Sequence, residues 1–282
     1  MDLTGRRKSS NVEDRRGKGG KIAGLGIGGT IVVALIALLL GKDPSSAVQQ
    51  LGGQQTGDTE FVASEQEKQF EEFASQILAS TEDVWTALFK QMGRTYEPPK
   101  LVLFKGSVQS GCGGASASSG PFYCSADRSV YIDLDFFADM QKTIGAGGDF
   151  AYAYVIAHEV GHHVQNLLGT LSQAHQQMNR MSETAANKIS VRLELQADFY
   201  AGVWANNDNK MYNSLEDGDL EEAIRCASVI GDDYLQKKSY GYVVQDAFTH
   251  GSAAQRMRWL KKGLQTGDIR QGDTFSVSEN QL

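Results

Sequence analysis

At position 158 the chain reads His158-Glu159-Val160-Gly161-His162, inside an apolar stretch that begins at Phe150. Histidines four apart stand one turn apart on the same face of a helix. Two imidazoles and a carboxylate on an apolar helix are costly to bury without a metal or hydrogen-bond partners. Both rings can reach one Zn²⁺ at about 2.0–2.1 Å, and Glu159 points beside the metal, where a carboxylate can deprotonate water. The block therefore calls for a helix from Phe150 to about Leu168. Asp149 is expected as its N-cap and Gly169 as its C-cap.

A catalytic zinc takes three protein ligands and keeps one position open. The pattern that continues through a Gly to a third His fails here, because Gln165 and Leu168 occupy those places. The other route is a carboxylate from a later helix, and Glu194 supplies it. Asp198 lies one turn beyond Glu194, suited to accept the free N–H of a ligand histidine and fix its tautomer. Glu183 competes for the ligand role but sits in a polar run. His163 is turned about 100° from the metal face and reads as structural. His175 lies in a polar stretch and reads as surface. His250 precedes a helix that starts from Ser252 and contains Arg256. Either could steady the oxyanion formed when an amide is hydrolysed. The plainer reading is a loop histidine and a salt-bridged arginine.

Ile22 to Gly41 is uncharged throughout. At about 1.5 Å per residue a helix over 22–41 spans roughly 30 Å, the thickness of a bilayer core. Seven Lys/Arg against three Asp/Glu in residues 1–21 give that end +4, which leaves −11 of the net −7 for the rest. The basic flank predicts a cytoplasmic segment over 1–21, a transmembrane helix over 22–41 and a flexible linker over 42–60. The body, 61–282, is then expected on the periplasmic side of a bacterial inner membrane. A cleaved signal peptide is the alternative. Gly24, Gly26 and Gly29 satisfy a dinucleotide fingerprint, but no strand precedes them and no acidic residue follows at the required distance. An acidic body argues against nucleic acid as a partner.

Helical spacing of Phe70, Phe73, Ile77, Leu78, Trp85, Leu88 and Phe89 predicts one broken helix or two short ones over 62–92, stopped by Pro98-Pro99. Strands are expected at 101–104 and 130–134, with a Gly/Ser loop over 106–120. Further helices are expected over about 182–206, 219–237 and 252–265. The fold class is α+β, mostly helical with a small sheet. The strand at 130–134 is a candidate to pair with an extended substrate. Cys112 and Cys124 bracket the loop and suit a disulfide in an oxidising compartment. Cys226 reads as a buried hydrophobe.

Several longer blocks carry a resemblance. They are the opening MDLTGRRKSSNVEDRRG, the loop CGGASASSGPFYC, VYIDLDFF, GGDFAYAYVIAHEVGHHVQ, ELQADFYAGVWA and HGSAAQRMRWL. In this order they resemble the bacterial neutral zinc metallopeptidases of YpfJ type over nearly the whole chain. The resemblance implies a zincin-like peptidase domain behind one N-terminal membrane anchor. It implies one zinc held by His158, His162 and Glu194, with Glu159 as base, and it favours His250 and Arg256 as catalytic. A protein or peptide substrate follows. The competing readings are a membrane-tethered zinc-binding scaffold or inactive peptidase, and a zinc amidase acting on a non-protein amide.

Overall fold

The computed structural model of the chain describes residues 1–17 and 63–282. The expected membrane helix over 22–41 and the linker over 42–60 lie outside the described residues. Among those described, no helix is long and apolar enough to cross a membrane. The chain divides into two compact units. One comprises Met1–Arg6, Ser80–Glu97 and Ala146–Leu282, and the other Arg7–Ala79 and Pro98–Gly145.

The second unit is built on a four-stranded sheet, order β1-β2-β6-β5. β1 (Val12–Asp14), β2 (Lys100–Phe104) and β6 (Ser129–Asp133) run parallel, and β5 (Phe122–Cys124) lies antiparallel to β6. Four of the five β2 residues and all of β6 are buried, as central strands with neighbours on both edges require. β6 pairs with β2 over Ser129–Asp133 and with β5 over Ser129–Tyr131. One edge is thus taken throughout and the other over Ser129–Tyr131, which leaves only Ile132 and Asp133 open to an extended substrate and corrects the expectation that the strand as a whole pairs with one. The Gly/Ser stretch after β2 is not a plain loop but a hairpin of β3 (Ser107–Ser110) and β4 (Gly113–Ser116). Cys112 and Cys124 are joined, with Cα atoms 5.7 Å apart, tying the hairpin turn to β5. Val102, Phe104, Val108, Ala115, Cys124 and Tyr131 form the core beneath.

The first unit is helical. α1 (Glu65–Gln91) is one continuous helix rather than two, and its second half, from Ser80, belongs here. A helix unforeseen in the sequence, α2 (Asp135–Ile144), follows the sheet in the other unit. α3 (Asp149–Leu168) carries the histidine block, and α4 (Thr170–Met178) follows it after a left-handed Gly169. α5 (Glu183–Tyr212) extends six residues beyond its expected end. The helix expected over 219–237 is two, α6 (Asp219–Val229) and α7 (Asp232–Tyr240), parted where Gly231 turns extended. α8 (Ala253–Thr266) starts from Ser252, whose hydroxyl accepts from the Gln255 N–H as expected of a cap. α5 and α8 cross through Gly202 and Gly263. A Cβ on either would stand 2.3 Å or less from a carbonyl of the other helix, so only glycine permits this approach.

Residues 1–17 are not a segment apart. β1 pairs in register with β2, and Arg16 bonds Asp14 and Glu71. Arg6 reaches the buried Asp208, and the Met1 ammonium meets Asp219 at 3.0 Å. A strand cannot pair with a neighbour on the far side of a bilayer. The expected arrangement, 1–21 cytoplasmic and the body periplasmic across a single span, is therefore corrected. The sequence reading missed β1 because three residues with one apolar side chain carry no strand period.

Candidate metal centre

α3 is buried on nearly every face from Phe150 to Gly161. Asp149 is its first residue and not its cap. The first-turn Phe150 N–H is met instead by the Glu222 carboxylate at 3.1 Å. Gly161 lets α3 lie directly on α5, since a Cβ there would stand 3.0 Å from the Ala197 carbonyl oxygen. Ala197 lies between Glu194 and Asp198, so this contact carries both carboxylates to the imidazoles.

His158 Nε2 lies 3.1 Å from Glu194 Oε2, and His162 Nε2 lies 3.4 Å from Glu194 Oε1. The donor atoms of His158, His162 and Glu194 all fall within 4.8 Å of one another. Ligands about 2.0–2.1 Å from a tetrahedral ion are separated by roughly 3.3–3.5 Å, so the two His–Glu approaches are near that spacing and a small closure of the group would hold a divalent cation. No fourth His, Cys, Asp or Glu joins the group among the described residues. Glu183 is exposed at the start of α5 and takes no part.

Both rings are held by their other nitrogen. His158 Nδ1 donates to Asp198 Oδ1 at 2.8 Å, and His162 Nδ1 donates to Gln165 Oε1 at 2.9 Å. These acceptors place the protons on Nδ1 and leave the Nε2 lone pairs for a metal. Gln165 is oriented in turn, because its Nε2 donates to the Leu193 carbonyl at 2.7 Å and to Gln196 Oε1 at 3.1 Å. Gln196 donates to the Gly272 carbonyl at 2.7 Å. Two backbone carbonyls thus set the tautomer of His162 through two side-chain amides. Gln165→Leu should weaken metal binding about 10- to 100-fold, as outer partners of ligand histidines do. It should also cost roughly 1–3 kcal/mol, by leaving the His162 Nδ1–H and the buried Gln196 Oε1 without their partner. Chelator competition and thermal unfolding measure the two effects.

Asp198 is fully buried and held from three sides. Arg256 grips it with two bonds of 2.8 and 2.9 Å, and the Tyr154 hydroxyl donates to Oδ1 at 2.6 Å. Burial would raise its pKa, but Arg256 and His158 bring it down to about 2. Arg256 is therefore corrected from oxyanion donor to positioning residue, its guanidinium committed to Asp198 and Tyr154. Tyr154, Gln165 and Gln196 were not singled out in the sequence. The available signal was a polar residue at helical spacing from a ligand on an otherwise buried face.

Burial opposes the charge on His158, yet Asp198 and Glu194 raise its pKa to about 10. Burial would raise Glu194, but His162 and His250 hold it well below the usual carboxylate range. Glu159 is raised, chiefly by burial. It is 8% exposed, and no described group donates a hydrogen bond to it. A buried carboxylate without a donor is poised to take one from water.

His250 Nδ1 faces Thr249 Oγ1 at 3.0 Å and Asp232 Oδ1 at 3.3 Å. Asp232 Oδ2 also gathers the backbone N–H groups of Thr249, His250 and Gly251. Burial opposes protonation of this ring, and Glu194 and then Asp232 favour it, with a net upward shift. His163 is buried, bonded to the Glu97 carbonyl, and edge-on to Tyr96. His175 is exposed. Cys226 is buried, which pushes its thiol up to about 12 and leaves it unreactive.

The family profile described as "Putative neutral zinc metallopeptidase" matches residues 1–275. The chain belongs to this family. It is 46% identical over 288 residues to the uncharacterized protein YpfJ of Escherichia coli K12, covering 99% of this chain and all of that one. It is 43% identical over 203 residues to the uncharacterized protein Mb2605 of Mycobacterium bovis, covering 68% of each. No solved structure matches. The family's metal agrees with the donor set, since two imidazoles and one carboxylate are a common ligand set of catalytic zinc.

Proposed function

We propose that the chain is a zinc-dependent peptidase that hydrolyses internal peptide bonds. The observation that carries this is the convergence of His158, His162 and Glu194 beside the buried, donor-free carboxylate of Glu159. A zinc ion in that group supplies Lewis acidity, which acidifies water and polarises a carbonyl. Glu159 takes the proton of the attacking water and passes it to the leaving amine. Its raised pKa brings it closer to neutrality, where such an exchange is efficient. His250, held at Nδ1 by Asp232, presents Nε2 to the carbonyl oxygen as negative charge grows there. Tyr154 and Arg256 hold Asp198, which holds His158, and touch no substrate. A purely structural zinc is usually closed by four protein ligands, so a three-ligand set favours the enzyme over the scaffold.

The uncharged apolar segment 22–41 supports attachment to a membrane by its hydrophobic composition, with both of its flanks on one face. The Cys112–Cys124 disulfide supports an oxidising compartment for the body, and thus the extracytoplasmic face. Residues 1–17 lie on that same face.

Removal of zinc by chelation should abolish peptide cleavage, and one equivalent should restore it. Restoration should grow easier with pH, because His158 must shed its proton to offer Nε2. In the metal-free chain its raised pKa contributes stability fully present below pH about 6.5 and lost as pH rises toward about 10. Zinc titration at pH 6 and pH 8, with cleavage as the readout, checks both. Cleavage that survives complete zinc removal would defeat the proposal.

A further inference from the structure

After α7 the chain exposes a run of large apolar side chains. Tyr240, Tyr242, Val243 and Val244 are 51%, 64%, 42% and 45% exposed, and the two tyrosine rings lie 6.2 Å apart. The stretch Ser239–Gln245 holds no charged residue. Such a contiguous exposed patch marks an interaction surface. Among the described residues, no backbone–backbone hydrogen bond engages Tyr242 or Val243.

The position of this strip relative to the metal centre follows from α5. The Asp246 carbonyl accepts from Asn187 Nδ2 at 3.0 Å. Asn187, Val191 and Glu194 fall on one stripe of the helix. A side chain built at Gly251 would stand 3.3 Å from Val191 and Leu195. The chain from Asp246 to Gly251, which includes His250, therefore tracks the stripe that ends at the metal ligand. Asn187 and Glu194 are seven residues apart, or about 10 Å. That is the reach of about three residues of an extended peptide.

We propose that Tyr240–Val244 is the docking strip for an extended, apolar segment of the substrate polypeptide, a few residues from the bond that is cut. This rests on the peptidase reading and adds the substrate class. The backbone groups of Tyr242 and Val243 pair with the extended chain, and the flanking side chains select apolar and aromatic residues. This role replaces the one expected of β6, most of whose edges are occupied. The continuity of this strip with the loop that carries His250 favours a polypeptide as the occupant.

The test uses the zinc-loaded full chain and the double variant Tyr242→Ser, Val243→Ser, both exposed positions. Two pools of fluorogenic decapeptides serve as substrates, one rich in Phe and Leu and the other with Ser in their place. KM for the apolar pool should rise about tenfold with kcat within twofold, and the Ser pool should be unaffected. The same substitutions in a Glu159→Gln chain should weaken binding of a labelled apolar decapeptide by a similar factor. Unchanged KM and binding would overturn the docking strip alone. A variant that instead loses self-association by light scattering, or binding to phosphatidylglycerol vesicles, with KM unchanged, would also overturn it. Such a result would reassign the surface to a second copy or to lipid. Failure of the unaltered chain to cut either pool would remove the peptidase reading, and this proposal with it.

Discussion

Glu159→Gln lowers kcat for peptide cleavage about 10²- to 10⁴-fold and leaves the metal in place. The factor is that of a positioned general base, lost without change in shape. Glu159 is outside the ligand group formed by His158, His162 and Glu194, so zinc content and affinity are expected to hold. Gln also carries no charge into a buried position, so the variant should unfold at or above the temperature of the parent. Stopped assays on equal zinc-loaded protein, with metal analysis of both samples, settle the matter. Full activity in the variant would transfer the base to another residue. Loss of metal along with activity would make Glu159 a ligand.

Arg256→Leu has the largest expected effect on stability. Arg256 is 4% exposed, and its partner Asp198 is fully buried. Removing one member of such a pair leaves an uncompensated buried charge, at a cost of about 3–5 kcal/mol. Asp198 is also the anchor of His158, so zinc affinity should fall about 10- to 100-fold in the same variant. Arg256→Lys should recover only part of either loss, because an ammonium cannot reproduce the two-bond grip. Denaturant unfolding and chelator competition give both quantities. The alternative role, donation to an oxyanion, predicts the opposite pattern: a lower kcat with stability and zinc affinity intact.

Part of the candidate metal site was legible because helical geometry sets the spacing within each helix. Residues at 158 and 162 share a face wherever they are packed, as do 194 and 198. What the sequence does not carry is which helix faces which. The role of Arg256 was misread for that reason. Its position at the start of α8 was plain, but the crossing at Gly202 and Gly263 that brings it to Asp198 was not. The amide chain from His162 through Gln165 and Gln196 to Gly272 joins three separate stretches, and no local pattern marks such a network.

The fold shows the same division. The long helices follow from apolar periodicity, and the two central strands from short apolar, β-branched and aromatic runs. The hairpin β3–β4 is rich in Gly and Ser and owes its form to pairing rather than propensity. The α6–α7 break depends on one extended residue, Gly231, within a run that reads as helical. β1 is too short and too polar to be seen without its partner, and finding it overturned the expected two-sided placement of residues 1–21.

The central claim is one divalent ion held by two imidazoles of α3 and a carboxylate of α5, with a position left for a non-protein ligand. X-ray absorption at the zinc edge, on purified chain loaded to saturation, tests it most directly. The account predicts one zinc per chain, two imidazole nitrogens at about 2.0–2.1 Å, and oxygen donors at about 2.0–2.2 Å. One of those oxygens should vanish in a Glu194→Ala variant. Failure to bind zinc, an unchanged spectrum after Glu194→Ala, or a shell closed by four protein donors would contradict it.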